Sequence, residues 1–135
     1  DYTVIGDTIN IGSRVESLCK FYGVKLIITN FTKDKLKDNY NFRYLDYVFL
    51  KGKDEPIELW EVINDKEIND NFNREIDIYN HAIKLFREKK LIESKEQLIE
   101  LIKLNPSELY KNYLKRCNDY LNKNYYEEVY KHENK

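Results

Sequence analysis

The chain contains no methionine at any of its 135 positions, the first included. That absence leads to the expectation that it is a piece of a longer protein. It also lacks any apolar run long enough to cross a bilayer, and it has no signal-peptide pattern. No excess of one charge exists: 23 basic residues face 24 acidic ones, a net charge of −1. The charged fraction is 35%, with the signs interleaved. No general field therefore points to nucleic acid or to an anionic membrane surface. Cysteine is scarce. Cys19 and Cys117 lie far apart and without metal-ligand spacing. Each falls in a helical pattern, so both are expected to be reduced, buried thiols. What is present is a chain long enough for one ordinary domain or a small unit plus an appendage, able to bury roughly two thirds of its unfolded surface.

The first segment, residues 1–63, alternates strand and helix signals. Tyr2 to Ile5 is β-prone. From Asp7 the apolar residues Ile11, Val15, Leu18 and Tyr22 recur every three or four positions, the period of a helix. Asp7 or Thr8 can cap its start, and Gly23 fits the position that ends it. Lys25 to Thr29 reads as a short apolar strand, followed by a short helix from Asn30 or Thr32 to about Leu36. Phe42 to Leu50 alternates, with Leu45, Tyr47 and Phe49 on one face. Ile57 to Ile63 is a further strand, with Pro56 at its permitted start. The two are expected to form an antiparallel hairpin across the turn Lys51-Gly52-Lys53-Asp54.

Residues 64–73 are polar and read as a linker. From 74 to 122 the pattern is helical throughout. Ile76, Tyr79, Ile83 and Phe86 mark one amphipathic helix, closed by Lys89-Lys90; Leu91, Leu98, Leu101 and Ile102 line a second. Asn105-Pro106-Ser107 breaks the chain, and Ser107 can cap a third helix with Tyr110, Tyr113, Leu114, Cys117 and Tyr120 inward. Residues 123–135 are charged and expected to fray. Tyr79 and Tyr113 are 34 residues apart, as are Ile83 and Cys117, and Phe86 and Tyr120. This helix–turn–helix period resembles the tetratricopeptide repeat, with Ser94 at one of its small-residue positions. A plain helical hairpin accounts for the same faces, and both readings stand.

The chemistry concentrates in the first fourteen residues. A β-branched run ends at Gly6 and passes into a helical pattern carrying Asn10 and Arg14 four residues apart, hence on one helix face. Arg14 offers a planar fork of donors matched to phosphate oxygens. Asn10 can bond a sugar oxygen, and the start of a helix after a strand favours anions. Spacing alone also allows Asn10 and Arg14 to be ordinary solvated helix residues.

The stretch from Tyr2 to Leu18 resembles the nucleotide-site motif of class III nucleotidyl cyclases. The likeness continues through Tyr22-Gly23-Val24, Leu26 to Thr29, Phe42 to Asp46, Lys51-Gly52-Lys53 and Glu55 to Val62. It covers about the first 63 residues. It implies an α+β fold: the C-terminal half of a ferredoxin-like class III cyclase domain, strand–helix–strand–helix–β-hairpin, followed by an all-helical hairpin. It implies that Thr3 selects the base; some adenylate cyclases carry threonine there, others aspartate, and guanylate cyclases usually cysteine. Thr3 thus favours adenine, its hydroxyl accepting from the exocyclic amine. The Val4 backbone would lie beside the base, Asn10 would position the ribose, and Arg14 would stabilise charge on the reacting phosphate. Lys51 would contact the triphosphate, with Lys53 as the alternative. Asp7 is read as a helix cap.

The implied reaction is conversion of ATP to 3′,5′-cyclic AMP and pyrophosphate, a step in intracellular signalling, assisted by Mg²⁺ or Mn²⁺ at a two-metal site. The resemblance places the metal-binding aspartates, and the lysine that pairs with the base-selecting residue, before Asp1; no metal ligand is assigned in this chain. It implies a head-to-tail homodimer in the full-length protein. The 135 residues alone are therefore expected to be inactive. The expected compartment is the cytoplasm, with sensor or membrane segments upstream. A second reading makes the helices from Phe72 a partner-binding or self-association module with the cyclase remnant as passenger; guanylate cyclase is a third.

Overall fold

A computed structural model describes residues 3–5, 14–36, 40–51 and 54–132, with side chains described from Ser17 onward. The chain divides into two compact units. One comprises Asp1–Lys66 together with Glu128–Lys135, the other Glu67–Glu127.

The first unit is mixed α+β. Its elements run β1 (Thr3–Ile5), α1 (Arg14–Tyr22), β2 (Leu26–Thr29), α2 (Asn30–Leu36), β3 (Asn41–Phe49), β4 (Ile57–Ile63) and, from the end of the chain, β5 (Tyr130–Lys131). The strands form one sheet in the order β1-β2-β4-β3-β5. Strands β1 and β2 are parallel, as a helical crossover between them requires. The hairpin pairs β3 with β4 antiparallel, and β4 pairs antiparallel with β2. Strand β5 lies parallel to β3.

Local sequence explains most of these boundaries. Gly23 takes a left-handed φ of 66°, and the amides of Gly23 and Val24 return to the carbonyls of Lys20 and Cys19. This is the Schellman closure that glycine permits without a steric cost. Ile27, Ile28 and Thr29 are all fully buried, so β2 is covered on both faces, as its uninterrupted apolar run requires. Asn30, the first residue of α2, accepts from the Glu58 amide, fastening α2 to the start of β4. On one face of the hairpin the Tyr44 and Trp60 rings meet edge-on at 5.4 Å. The Lys33 ammonium lies over Trp60 and Phe42, 4.4 and 5.2 Å from the ring centres.

Two expectations for this unit change. The even alternation of Leu45, Tyr47 and Phe49 does not hold. The β3–β4 register shifts between Tyr44 and Asp46, so Leu45 and Asp46 are both buried, and beyond them Val48 rather than Tyr47 or Phe49 is fully covered. A bulge inserts one residue and moves every later side chain to the opposite face. Nor do Tyr130 to His132, within the stretch expected to fray, stand free: Tyr130 and Lys131 pair with Val48 and Phe49, and the His132 amide donates to the Phe49 carbonyl at 2.9 Å. A composition-based expectation of fraying missed this because the partner strand lies far away in sequence.

The second unit holds α3 (Asp70–Arg87), α4 (Leu91–Leu104) and α5 (Glu108–Lys123). Helix α3 starts inside the expected linker, because Asn69 caps it by accepting from the Phe72 amide. Ser107 caps α5 in the same way through the Leu109 amide. Residues 34 apart pack against one another: Tyr79 meets Tyr113 at 6.4 Å and Phe86 meets Tyr120 at 6.0 Å between ring centres. Ser94 is the close-approach point of α3 and α4, its hydroxyl donating to the Ala82 carbonyl at 2.8 Å. Cys19 and Cys117 are both buried and not joined in a disulfide. Burial pushes the Cys117 thiol above its ordinary range. No helix among the described residues is long and apolar enough to cross a membrane.

Candidate functional site

The sheet register determines where the sequence-predicted residues stand. Thr3 and Val4 belong to β1, paired with Leu26 and Ile27, at one edge of the strand order. Asn10 lies outside the described residues, as do Gly6, Asp7 and Lys53. Arg14 is the first residue of α1, a helix that packs against β1. Lys51 is exposed in the turn that leaves β3.

Strands β1 and β2 run in the same direction and β4 runs opposite to them, with Leu59 against Thr29 and Glu61 against Ile27. The start of β4, the end of β3 and the finishing ends of β1 and β2 therefore share one end of the sheet. Lys51 sits at that end. The chain also leaves β1 there. This is the end where ligands bind in sheets containing parallel strands. Three strand steps separate β1 from β3 in the order, a lateral distance of about 14 Å. A ligand that touched both would have to be elongated, with one end near β1 and the other near the hairpin turn.

Helix α1 is anchored at its far end. The Tyr22 hydroxyl donates to Asp46 Oδ2 on β3 at 2.8 Å and stands 2.7 Å from His132 Nε2. The other carboxylate oxygen, Oδ1, accepts from the Tyr47 amide at 2.9 Å. All three side chains are buried, at 1%, 2% and 7% exposure. Sequence reasoning placed Tyr22 inward and included Asp46 in the resemblance, but it missed His132. The available signal was slight: a β-prone Val-Tyr-Lys-His run in an otherwise charged tail.

A second polar pair sits across the hairpin. Arg43 and Glu61 are directly opposite in register, with Nε and Nη2 each 2.7 Å from Glu61 Oε1. The pair braces β3 against β4 at the middle of the sheet.

Among the described residues, no group of three or more His, Cys, Asp or Glu side chains could hold a metal ion.

Comparison with known proteins adds a direct line. No protein-family model matches the chain, and no solved structure matches it. Curated proteins do. The chain is 40% identical over 65 residues to the terminal-differentiation-specific adenylate cyclase of Dictyostelium discoideum, covering 46% of this chain and 3% of that protein. It is 43% identical over 65 residues to an adenylate cyclase of Anabaena cylindrica, covering 46% of this chain and 13% of that one. It is 34% identical over 62 residues to adenylate cyclase 1 of Rhizobium meliloti (strain 1021), covering 46% of this chain and 9% of that one. Over just under half its length, the chain is similar to adenylate cyclases. It spans between 3% and 13% of the length of these relatives, so it corresponds to a small part of each.

Proposed function

We propose that the α+β unit is the C-terminal part of a class III adenylate cyclase catalytic domain, acting on ATP within a larger protein. The observation that carries this reading is the 34–43% identity to adenylate cyclases over 62–65 residues. The sheet geometry is compatible with it: an elongated ligand is what a nucleoside triphosphate is, with its base and its γ-phosphate at opposite ends.

In this reading Thr3 and the Val4 backbone meet the adenine, with the Thr3 hydroxyl accepting from the exocyclic amine. Asn10 bonds the ribose and holds its 3′-oxygen in line with the α-phosphate. That oxygen gives its proton to solvent and forms a bond to the α-phosphorus, while the bond from the α-phosphorus to the oxygen bridging to the β-phosphate breaks and pyrophosphate leaves. Negative charge rises on the pentavalent centre and on the leaving group. Arg14 donates to that charge from a fixed guanidinium, and Lys51 binds the triphosphate as a point charge. Metal-ion chemistry at such a centre would come from ligands outside the described residues, and no role is assigned to it in this chain. The active site of the working enzyme forms across a head-to-tail homodimer.

The test is Arg14→Ala in the full-length enzyme carrying this segment. Turnover should fall roughly 10²–10³-fold, the scale of a lost transition-state donor, with KM for ATP little changed. An unchanged kcat refutes the role. The 135 residues alone should release no cyclic AMP from ATP with Mg²⁺ or Mn²⁺.

The alternative, a partner-binding helical module, has a groove of about 570 Å³ in its favour, lined by residues including Lys89, Ile92, Tyr120, Leu121 and Tyr125. Nothing in the structure identifies an occupant, so the cyclase reading leads.

A further inference from the structure

We infer that His132, near the end of the chain, is a positioning residue for Arg14, acting through Tyr22 and helix α1. The inference rests on the adenylate cyclase reading and extends it to a residue outside the stretch that resembles cyclases.

The hydrogen-bond arithmetic gives His132 a definite role. A tyrosine hydroxyl has one proton to donate. Tyr22 gives that proton to Asp46 Oδ2 at 2.8 Å. The 2.7 Å contact with His132 Nε2 must then run the other way, so Nε2 carries a hydrogen and donates to the Tyr22 oxygen. The chain of bonds is His132 to Tyr22 to Asp46, and it ends on the β3 backbone because Asp46 Oδ1 accepts from the Tyr47 amide. His132 is itself held by its own amide, which donates to the Phe49 carbonyl at 2.9 Å. The Tyr22 hydroxyl is therefore fixed from two sides, by one group on β3 and one that follows β5.

Ring contacts close the grip. The His132 ring meets Phe21 edge-on at 5.1 Å, Tyr22 at 5.6 Å and Tyr130 at 4.9 Å. Phe21 also lies 5.7 Å from Tyr130. The last two residues of α1 are thus clamped by the returning end of the chain. The same helix packs on β1 and begins at Arg14. A helix of nine residues is a rod of about 13 Å. Its roll and slide are transmitted from Tyr22 to Arg14 with little loss. A shift on the order of 1 Å at a reacting group can cost about 10²-fold in rate, so a clamp at one end of the rod bears on the chemistry at the other.

The experiment uses the full-length enzyme carrying this chain, with cyclic AMP formation as the readout and far-ultraviolet circular dichroism as the check on folding. His132→Ala should lower kcat roughly 10- to 100-fold with KM for ATP changed less than about twofold. His132→Gln, whose Nε2–H can take the place of the imidazole donor, should return kcat to within about threefold of wild type. Tyr22→Phe removes a single oxygen and should reproduce His132→Ala; it carries the test if His132→Ala fails to fold. Wild-type turnover in both His132→Ala and Tyr22→Phe overturns the inference. So does equal damage by His132→Ala and His132→Gln, since that would mean packing and not the bond. Absence of cyclic AMP from the wild-type enzyme refutes the cyclase reading instead. The clamp is then judged by amide exchange in the 135-residue chain. Faster exchange over residues 17–22 in His132→Ala and Tyr22→Phe, restored in His132→Gln, upholds it; unchanged exchange overturns it.

Discussion

Glu61→Ala should be among the more damaging single substitutions in the α+β unit. Glu61 and Arg43 face each other on paired strands, with two guanidinium nitrogens 2.7 Å from one carboxylate oxygen. The side chains are only 16% and 8% exposed. An exposed pair of this kind contributes about 0–1 kcal/mol. Removing one partner of a buried pair costs about 3–5 kcal/mol, because the remaining charge is stranded. Water reaches the Glu61 side, so the expected cost is about 2–4 kcal/mol, below the fully buried range. Glu61→Gln keeps an acceptor and should cost about 1–2 kcal/mol. Replacing both residues by leucine removes the charge together with its partner and should lie within about 1 kcal/mol of wild type. Urea unfolding followed by Trp60 emission reads this directly, because the chain has one tryptophan and it neighbours Glu61 on β4. A cost below about 0.5 kcal/mol for Glu61→Ala, or a double variant as unstable as the single one, would refute the reasoning.

Further outcomes follow from the helical unit. Leu98 is fully buried, so Leu98→Ala should cost about 2–5 kcal/mol in helix unfolding followed by far-ultraviolet circular dichroism. Lys89 holds a left-handed φ of 64° in a Schellman closure, its amide and that of Lys90 returning to Phe86 and Leu85. Lys89→Gly should therefore stabilise α3 by about 1 kcal/mol in the same assay, and a loss would contradict the backbone argument. Burial raises both the Cys117 thiol and the Tyr120 phenol. The folded state keeps protons that the unfolded chain releases, so their stabilising contribution is complete below about pH 8 and declines toward about pH 11. A thermal midpoint of the helical unit that rises over that window would reverse the sign. In the native chain at neutral pH, Cys117 should react with a thiol reagent far more slowly than after unfolding, since the thiolate is the nucleophile; equal rates would contradict its burial.

Much of the fold was legible from near neighbours in the chain. The Ile57–Ile63 strand, the glycine closure at Gly23 and the Ser107 cap stand where local pattern put them. So does most of the inward face of α3 and α5: Tyr79, Ile83, Phe86, Tyr110, Tyr113, Cys117 and Tyr120 are buried, while Ile76 and Leu114, also expected inward, are only half-buried. Helix period and cap chemistry act within a few residues, so a sequence displays them directly. The bulge at Tyr44–Asp46 was not legible, because the inserted residue is defined only against β4. The candidate site divides in the same way. Thr3, Val4, Asn10, Arg14 and Lys51 stand out as a motif. That Lys51 shares a sheet end with the exit of β1 follows only from strand register.

Composition and periodicity, then, were enough to specify a balanced-charge chain of strands and helices followed by three helices, and it was the resemblance to cyclases, not the spacing of Asn10 and Arg14, that suggested a nucleotide. The return of the chain end to the sheet was beyond them. Tyr22 and His132 are 110 residues apart, and no local propensity couples groups at that separation. Their contact exists because a polar hydroxyl buried under α1 needs both a donor and an acceptor, and folding brings Asp46 on β3 and His132, just past β5, to it.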